Sequence, residues 1–284
     1  MIIGISGKKG SGKDTVAKIL QYFTLPEEVR TISIDEWVYE LSYHETVSDN
    51  LSTYLEIHKF ADKLKDCTSL LLNIPRWKLE LEEYKQQKLP EQWDRWVLNH
   101  EMGASLHQTY EEAKIIVDYL RLHEEEYELF KESITIRDFL QQMGTDAMRQ
   151  IIHPNIWVNT FFENYQPEST MNFAKTVKGK TSKITKAPVW PSWVVSDVRF
   201  RNEVDAIKYG QPGKPVDSND FRFLIRVERP DRDLDMDQHK SETELDNYNQ
   251  WDYVINNDKT LDDLAFEIHY MLSCHKGFEK YFHI

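Results

Sequence analysis

Ile2-Ile3-Gly4-Ile5-Ser6-Gly7-Lys8-Lys9-Gly10-Ser11-Gly12-Lys13-Asp14-Thr15 is the stretch whose reading decides the fold of this chain. An apolar run stops at a glycine-rich segment, as a buried parallel strand does where it leaves the sheet. Val16, Ile19, Leu20 and Phe23 then recur at helical spacing, and Pro26 follows. The segment reads strand, loop, helix, which is the context that the G-x-x-x-x-G-K pattern of residues 7–13 requires. Gly7, Gly10 and Gly12 let the backbone of Lys8 and Ser11 turn its N–H groups inward. The helix N-terminus adds partial positive charge, and Lys13 can reach the outer phosphates of a nucleoside triphosphate.

One position departs from the pattern. Where Ser or Thr normally follows the lysine and ligates Mg²⁺, Asp14 stands, with Thr15 next. Asp14 is then a candidate metal ligand, directly or through water, and Thr15 a candidate partner for an inner phosphate. The plainer alternative is that Asp14 caps the helix.

Working outward, residues 29–34 and 54–60 read as strands, and the second runs into a helix that ends near Pro75. Residues 76–132 are rich in Trp, Glu, Leu and Lys without alternation and predict a mostly helical insertion, its 124–126 glutamates a solvated face. Helices are expected at 136–143, broken at Gly144, and at 156–162. Residues 166–188 hold five lysines and no acid after Glu168, which reads as a flexible basic surface loop, serving solubility or phosphate binding. Strands at 193–196, 221–227 and 253–255 alternate with helices at 202–209 and 261–272. The fold class is α/β, one domain over 1–284 with a mainly parallel β-sheet flanked by helices.

Composition narrows the function. With 48 acidic residues against 35 Lys and Arg the net charge is −13, opposite to that of a protein held mainly by polymeric nucleic acid. A small anionic substrate remains compatible, because a few cations in a cleft set the local potential. Cys67 and Cys274 are the only cysteines and form no metal-binding pattern. No run reaches the ~18 apolar residues of a membrane span, and the apolar start is too brief for a signal-peptide core. The expectation is a cytoplasmic protein with no membrane partner.

Further segments carry a resemblance. Phe60-Ala61-Asp62-Lys63-Leu64-Lys65, then Leu140-Gln141-Gln142-Met143-Gly144-Thr145-Asp146 with Arg149, then Ile156-Trp157-Val158 come first. Asp197-Val198-Arg199-Phe200-Arg201-Asn202-Glu203, Ile225-Arg226-Val227-Glu228-Arg229-Pro230, His239-Lys240-Ser241-Glu242-Thr243 and Asp252-Tyr253-Val254-Ile255-Asn256-Asn257-Asp258 follow. In this order they resemble the signatures of the bacteriophage deoxynucleoside monophosphate kinase family. The last is also similar to the I-x-N-x-G-x-L stretch of dephospho-coenzyme A kinase, with Lys259 in place of the glycine.

The resemblance implies a P-loop kinase sheet with ATP and Mg²⁺ at the loop, a deoxynucleoside monophosphate as acceptor, the cytoplasm of an infected host as location, and is compatible with a homodimer. An acceptor phosphate is already ionised, so the chemistry needs no general base. It needs cations that hold two polyanions in line. Asp197 at a strand end is a candidate for Mg²⁺ with Arg199 beside it for a phosphate, or the two form an ion pair that orders a turn. Arg229 and Arg232 lie in a candidate lid, residues 229–245, by analogy with nucleoside monophosphate kinases; surface arginines look the same. Phe60, Lys63, Lys65, Arg137, Gln141, Thr145, Asp146 and Arg149 are the candidate acceptor residues. Trp157 either stacks on a base or belongs to the core. Asn257 stands beside the adenine or in a turn. Two other functions fit the same loop: a kinase for another small phosphorylated acceptor, and an ATP-dependent interaction module without transfer.

Overall fold

The structure, a computed structural model, describes every residue except 26, 28, 29, 31, 41–54, 101, 102, 108, 124, 168, 178, 179, 231–238, 283 and 284. In chain order the elements are β1 (Ile2–Ser6), α1 (Lys13–Phe23), α2 (Ile34–Glu40), β2 (Glu56–His58), α3 (Asp62–Leu72), β3 (Arg95–His100), β4 (Gly103–His107), α4 (Tyr110–Leu122) and β5 (Tyr127–Glu132). They continue with α5 (Ile136–Gln141), α6 (Ile156–Asn164), β6 (Ser169–Val177), β7 (Lys180–Val189), β8 (Trp193–Val198), α7 (Arg201–Tyr209), β9 (Arg222–Glu228), β10 (Tyr253–Asn256) and α8 (Leu261–Cys274). Two compact units result: one from Met1–Asp62 with Asn155–Ile284, the other Lys63–Pro154.

The first unit contains a five-stranded sheet in the order β10-β9-β1-β8-β2, with every neighbour parallel. β1 is central, and β1 and β8 are buried along their whole length, which is why their sequences are largely apolar rather than alternating. Ile3 and Ile5 join Val194, Phe223 and Ile225 in a core with α1 and α8. Ile2 joins Val195 and Leu224 in a second core with α6 and α7. Each such buried aliphatic side chain contributes about 1.5–3 kcal/mol. The chain leaves β1 toward β2 and leaves β8 toward β9, so its direction reverses between β1 and β8. Parallel sheets bind ligands at such a reversal, beyond the C-terminal strand ends.

Four local expectations are corrected. Residues 29–34 do not lead through a strand at their described end: Ser33 instead caps α2, its hydroxyl accepting the Glu36 N–H at 3.2 Å while Glu36 accepts the Ser33 N–H at 2.8 Å. Residues 76–132, expected mostly helical, hold β3, β4 and β5 as an antiparallel sheet of order β4-β3-β5, with Leu98 packed on Val117 and Leu120 of the helix α4. In β5 the more and less exposed positions do not alternate regularly, which hid the strand period in the sequence. The basic segment 166–188, expected as a loop, runs as the antiparallel ladder β6–β7, with Phe173 opposite Thr185 and Ala174 opposite Ile184. The pairing joins positions across the hairpin, which no local window of sequence displays.

The helix expected to break at Gly144 does not break. α5 continues into a π-helix over Gln142–Ile152. Gly144 serves close packing there, since a Cβ at this position would stand 2.6 Å from Leu64 Cδ2. Among the described residues no helix is long and apolar enough to cross a membrane.

Candidate active site

The turn between β1 and α1 places Gly7, Lys8, Gly10, Ser11, Gly12 and Lys13 at the reversal point of the sheet. Gly12 adopts φ +97°, the left-handed region, and a Cβ on it would stand 2.2 Å from Asn257 Nδ2. Only glycine meets both demands. Asn257, just past β10, donates from that nitrogen to the Ser11 carbonyl at 2.8 Å, tying the loop to the last strand of the sheet. The Ser11 hydroxyl is buried and has no hydrogen-bond partner in the protein. A buried polar atom with no partner is costly, and a phosphate oxygen would satisfy it.

Lys13 is 9 % exposed, and its ammonium donates to the Gly7 and Lys8 carbonyls at 2.7 Å each. Burial, followed by the positive charge of Arg199, lowers its pKa from 10.5 to about 7, with Asp14 and Asp197 pulling the other way. A cation held so reluctantly is poised to accept anionic company. Arg226 adds to the local positive charge and approaches Ser6 Oγ at 3.3 Å.

Asp14 opens α1, where an acid suits the helix dipole. Its side chain is exposed, and the Lys59 ammonium at 3.1 Å and the Ser196 hydroxyl at 2.7 Å hold its pKa below the usual value. Thr15 is the next residue of the same helix turn.

Asp197 is buried at the end of β8, and its two carboxylate oxygens accept the Phe60 N–H at 2.7 Å and the Ala61 N–H at 2.9 Å. Burial raises its pKa against the effect of these two bonds. Its first task is therefore to shape the turn into α3. Arg199 follows, with its own N–H and that of Phe200 accepted by the buried Glu203 at 2.7 and 3.0 Å. Its guanidinium pairs with Glu242. Arg229 is half-buried one residue past β9. Arg232 lies outside the described residues, as does most of the middle of the candidate lid. A cavity of about 300 Å³ adjoins Asn257 and is lined in part by Tyr253, Lys259, Phe266, Glu267 and Tyr270.

The candidate acceptor residues divide between the units. Phe60 is buried against Phe161, at 4.6 Å between rings, and Trp157 is 5 % exposed. Both rings belong to the interior of the first unit and are not open platforms for a base, because a stacking face must be reachable. Lys63, Lys65, Arg137, Gln141, Thr145, Asp146 and Arg149 belong to the second unit. There Lys65 is largely buried and bonds Glu80 at 2.6 Å, and Arg76 pairs with both Glu80 and Asp66. Lys63 is half-exposed and lies 3.4 Å from Asp66. Arg137 pairs with Glu82, while its Nε is buried without a hydrogen-bond partner. Thr145 is buried in the π-helix, with Asp146 exposed beside it.

Sequence reasoning missed Lys59, Ser196, Arg226 and Asp246 in the first unit and Arg76, Glu80, Glu82 and Lys85 in the second. Lys85 lies 3.6 Å from Glu82, and burial, then the charge of Lys65, lowers its pKa. Lys59 and Ser196 each adjoin a quoted motif and Arg226 lies within one, and these positions were the available signal. Among the described residues no group of three or more His, Cys, Asp or Glu side chains is placed to hold a metal ion.

A parallel sheet of order β2-β8-β1-β9-β10, with a phosphate loop leaving its central strand and cations on the neighbouring turns, defines a P-loop kinase-like architecture. The model of the deoxynucleotide monophosphate kinase family matches residues 1–268, and the chain belongs to that family. A protein of Acanthamoeba polyphaga mimivirus, provisionally named a deoxynucleotide monophosphate kinase, is 34% identical over 143 residues. That match covers 49% of this chain and 61% of the mimivirus protein.

Proposed function

We propose that the protein transfers the γ-phosphoryl group of ATP to a deoxynucleoside 5′-monophosphate, releasing ADP and the deoxynucleoside diphosphate. The observation that carries this reading is the phosphate loop. Its glycine-bent backbone, its buried Ser11 hydroxyl without a partner and its Lys13 held at a pKa of about 7 form a cradle suited to a triphosphate tail. Family membership selects the acceptor class.

In this reading Gly7 to Thr15 hold the donor phosphates, and Asn257 fixes the loop beside the cavity for the donor's base. Lys13 and Arg199, joined by Arg229 and Arg232, offset charge on the transferring phosphoryl group. Asp14 is the carboxylate best placed to share Mg²⁺ with the phosphates, and Asp197 supports it from beneath by shaping the turn. Bound Mg²⁺ supplies neutralisation of the phosphate oxygens, and it commonly keeps several waters and only one or two protein carboxylates. The cations of the second unit, Lys65, Lys85 and Arg137 foremost, take the acceptor's phosphate, and Gln141, Thr145 and Asp146 read its sugar or base. Transfer itself moves no proton from the acceptor, so positioning and charge carry the rate. The setting is nucleotide supply for a virus in the cytoplasm of its host.

A product-resolved assay with Mg·ATP and each common deoxynucleoside monophosphate tests the proposal. At least one of dTMP, dGMP or a dCMP derivative is expected to give its diphosphate together with ADP. ADP release with a different phosphorylated acceptor and none of these would assign the chain another substrate, and no transfer at all would reject the kinase reading.

A further inference from the structure

Lys8 and Arg199 are carried by different turns, one after β1 and the other after β8, and a single residue holds both. The main-chain carbonyl of Glu242 accepts the Lys8 ammonium at 2.7 Å, and its carboxylate grips the Arg199 guanidinium. The Glu242 side chain is only 7 % exposed. It stands in a short helical turn, Lys240–Thr243, whose start is fixed by His239 Nδ1 accepting the Ser241 N–H at 3.2 Å. Asp246 also takes the Lys8 ammonium, and Glu244 accepts the Arg201 N–H at 3.1 Å. The 239–246 segment is thereby tied to both turns that border the reversal point of the sheet.

An arginine side chain has many rotamers, and ordering it at the moment of reaction is costly. Glu203 already fixes the main chain of Arg199, which leaves the guanidinium end to be set. A buried carboxylate does this with directional, charge-assisted hydrogen bonds. Such a pair adds little to stability compared with apolar packing of the same volume, which leaves geometry as its use. We propose that Glu242 is a positioning residue, setting the Arg199 guanidinium and, through its carbonyl, the Lys8 ammonium at the mouth of the phosphate loop; the inference rests on the kinase reading above.

The test is a double-mutant cycle on the full chain with Glu242→Gln and Arg199→Ala, read on turnover and on ATP affinity, with thermal midpoints measured for all four proteins. Glu242→Gln is expected to lower turnover roughly ten- to a hundredfold, the range for one charge-assisted hydrogen bond. It should add nothing once Arg199 is absent. A merely structural role predicts losses that multiply in the double variant, together with a lowered midpoint. That result, or full turnover of Glu242→Gln, overturns the proposal. If Glu242→Gln does not fold, Glu242→Asp replaces it, keeping the charge while drawing it back from Arg199. Absence of turnover in the parent chain would count against the kinase reading, and the same cycle on ATP affinity would still decide whether Glu242 acts through Arg199.

Discussion

Lys13 in the first unit and the cations of the second unit are held in opposite ways. In the phosphate loop Lys13 is buried against main-chain carbonyls, with another cation, Arg199, close enough to lower its pKa. In the second unit Lys65, Arg76 and Arg137 each meet a glutamate directly. Beside Lys13 the loop keeps an unsatisfied hydroxyl, although Lys8 and Arg199 nearby meet Asp246 and Glu242; in the second unit Lys85 also meets a glutamate, at 3.6 Å, and the Arg137 Nε lacks a hydrogen-bond partner. A lysine held by neutral carbonyls has no counter-charge to give up when a polyanion arrives, whereas arginines paired with carboxylates are held in order until a ligand competes for them.

The largest effect expected from this contrast is at Lys13. Lys13→Ala should lower kcat by roughly 10²–10³-fold, the scale of losing one preorganised donor to developing charge. Steady-state assays with saturating acceptor check this, and a variant that keeps parental kcat would equate the two regions. Arg137→Ala should instead raise KM for the monophosphate roughly ten- to a hundredfold, leaving KM for ATP near its parental value. Equal movement of both constants would break the division of labour between the units. The smallest effect concerns stability: Gly12→Ala forces a side chain into the left-handed region and toward Asn257. A loss of at least about 1–2 kcal/mol is expected in denaturant unfolding, and an unchanged midpoint would mean that the loop relaxes freely.

The same contrast explains what the sequence made legible. The phosphate loop is written in consecutive residues, and its conformation follows from glycines at fixed offsets, so strand, loop and helix were readable together. The five strands of the parallel sheet were mostly readable for a similar reason, being short apolar runs with turn signals at their ends. By contrast the cluster of Lys65, Arg76, Glu80, Glu82, Lys85 and Arg137 is assembled by packing from distant positions. No spacing rule connects Lys85 to Arg137. β3, β4 and β5 were hidden because their alternation is irregular, and the β6–β7 ladder because its lysines resembled a solvated loop. Phe60 and Trp157 show a different limit: a motif names a ring along the chain but does not tell one facing a ligand from one facing the core, and the structure buries both, Trp157 in keeping with the core alternative given for it.

Calorimetry of ATP binding in Mg²⁺-containing buffers of different ionisation enthalpy at pH 8 addresses the central claim most directly. Lys13 has a pKa of about 7 in the protein, so at pH 8 it is mostly neutral before binding. Phosphates raise that pKa, and binding should then take up close to one proton, roughly. Below pH 7 the ammonium is already charged and the uptake should fade, while affinity should weaken as pH rises above about 7. The account predicts this uptake in the parent and its loss in Lys13→Met. Binding with no proton uptake, or uptake that survives Lys13→Met, would contradict it.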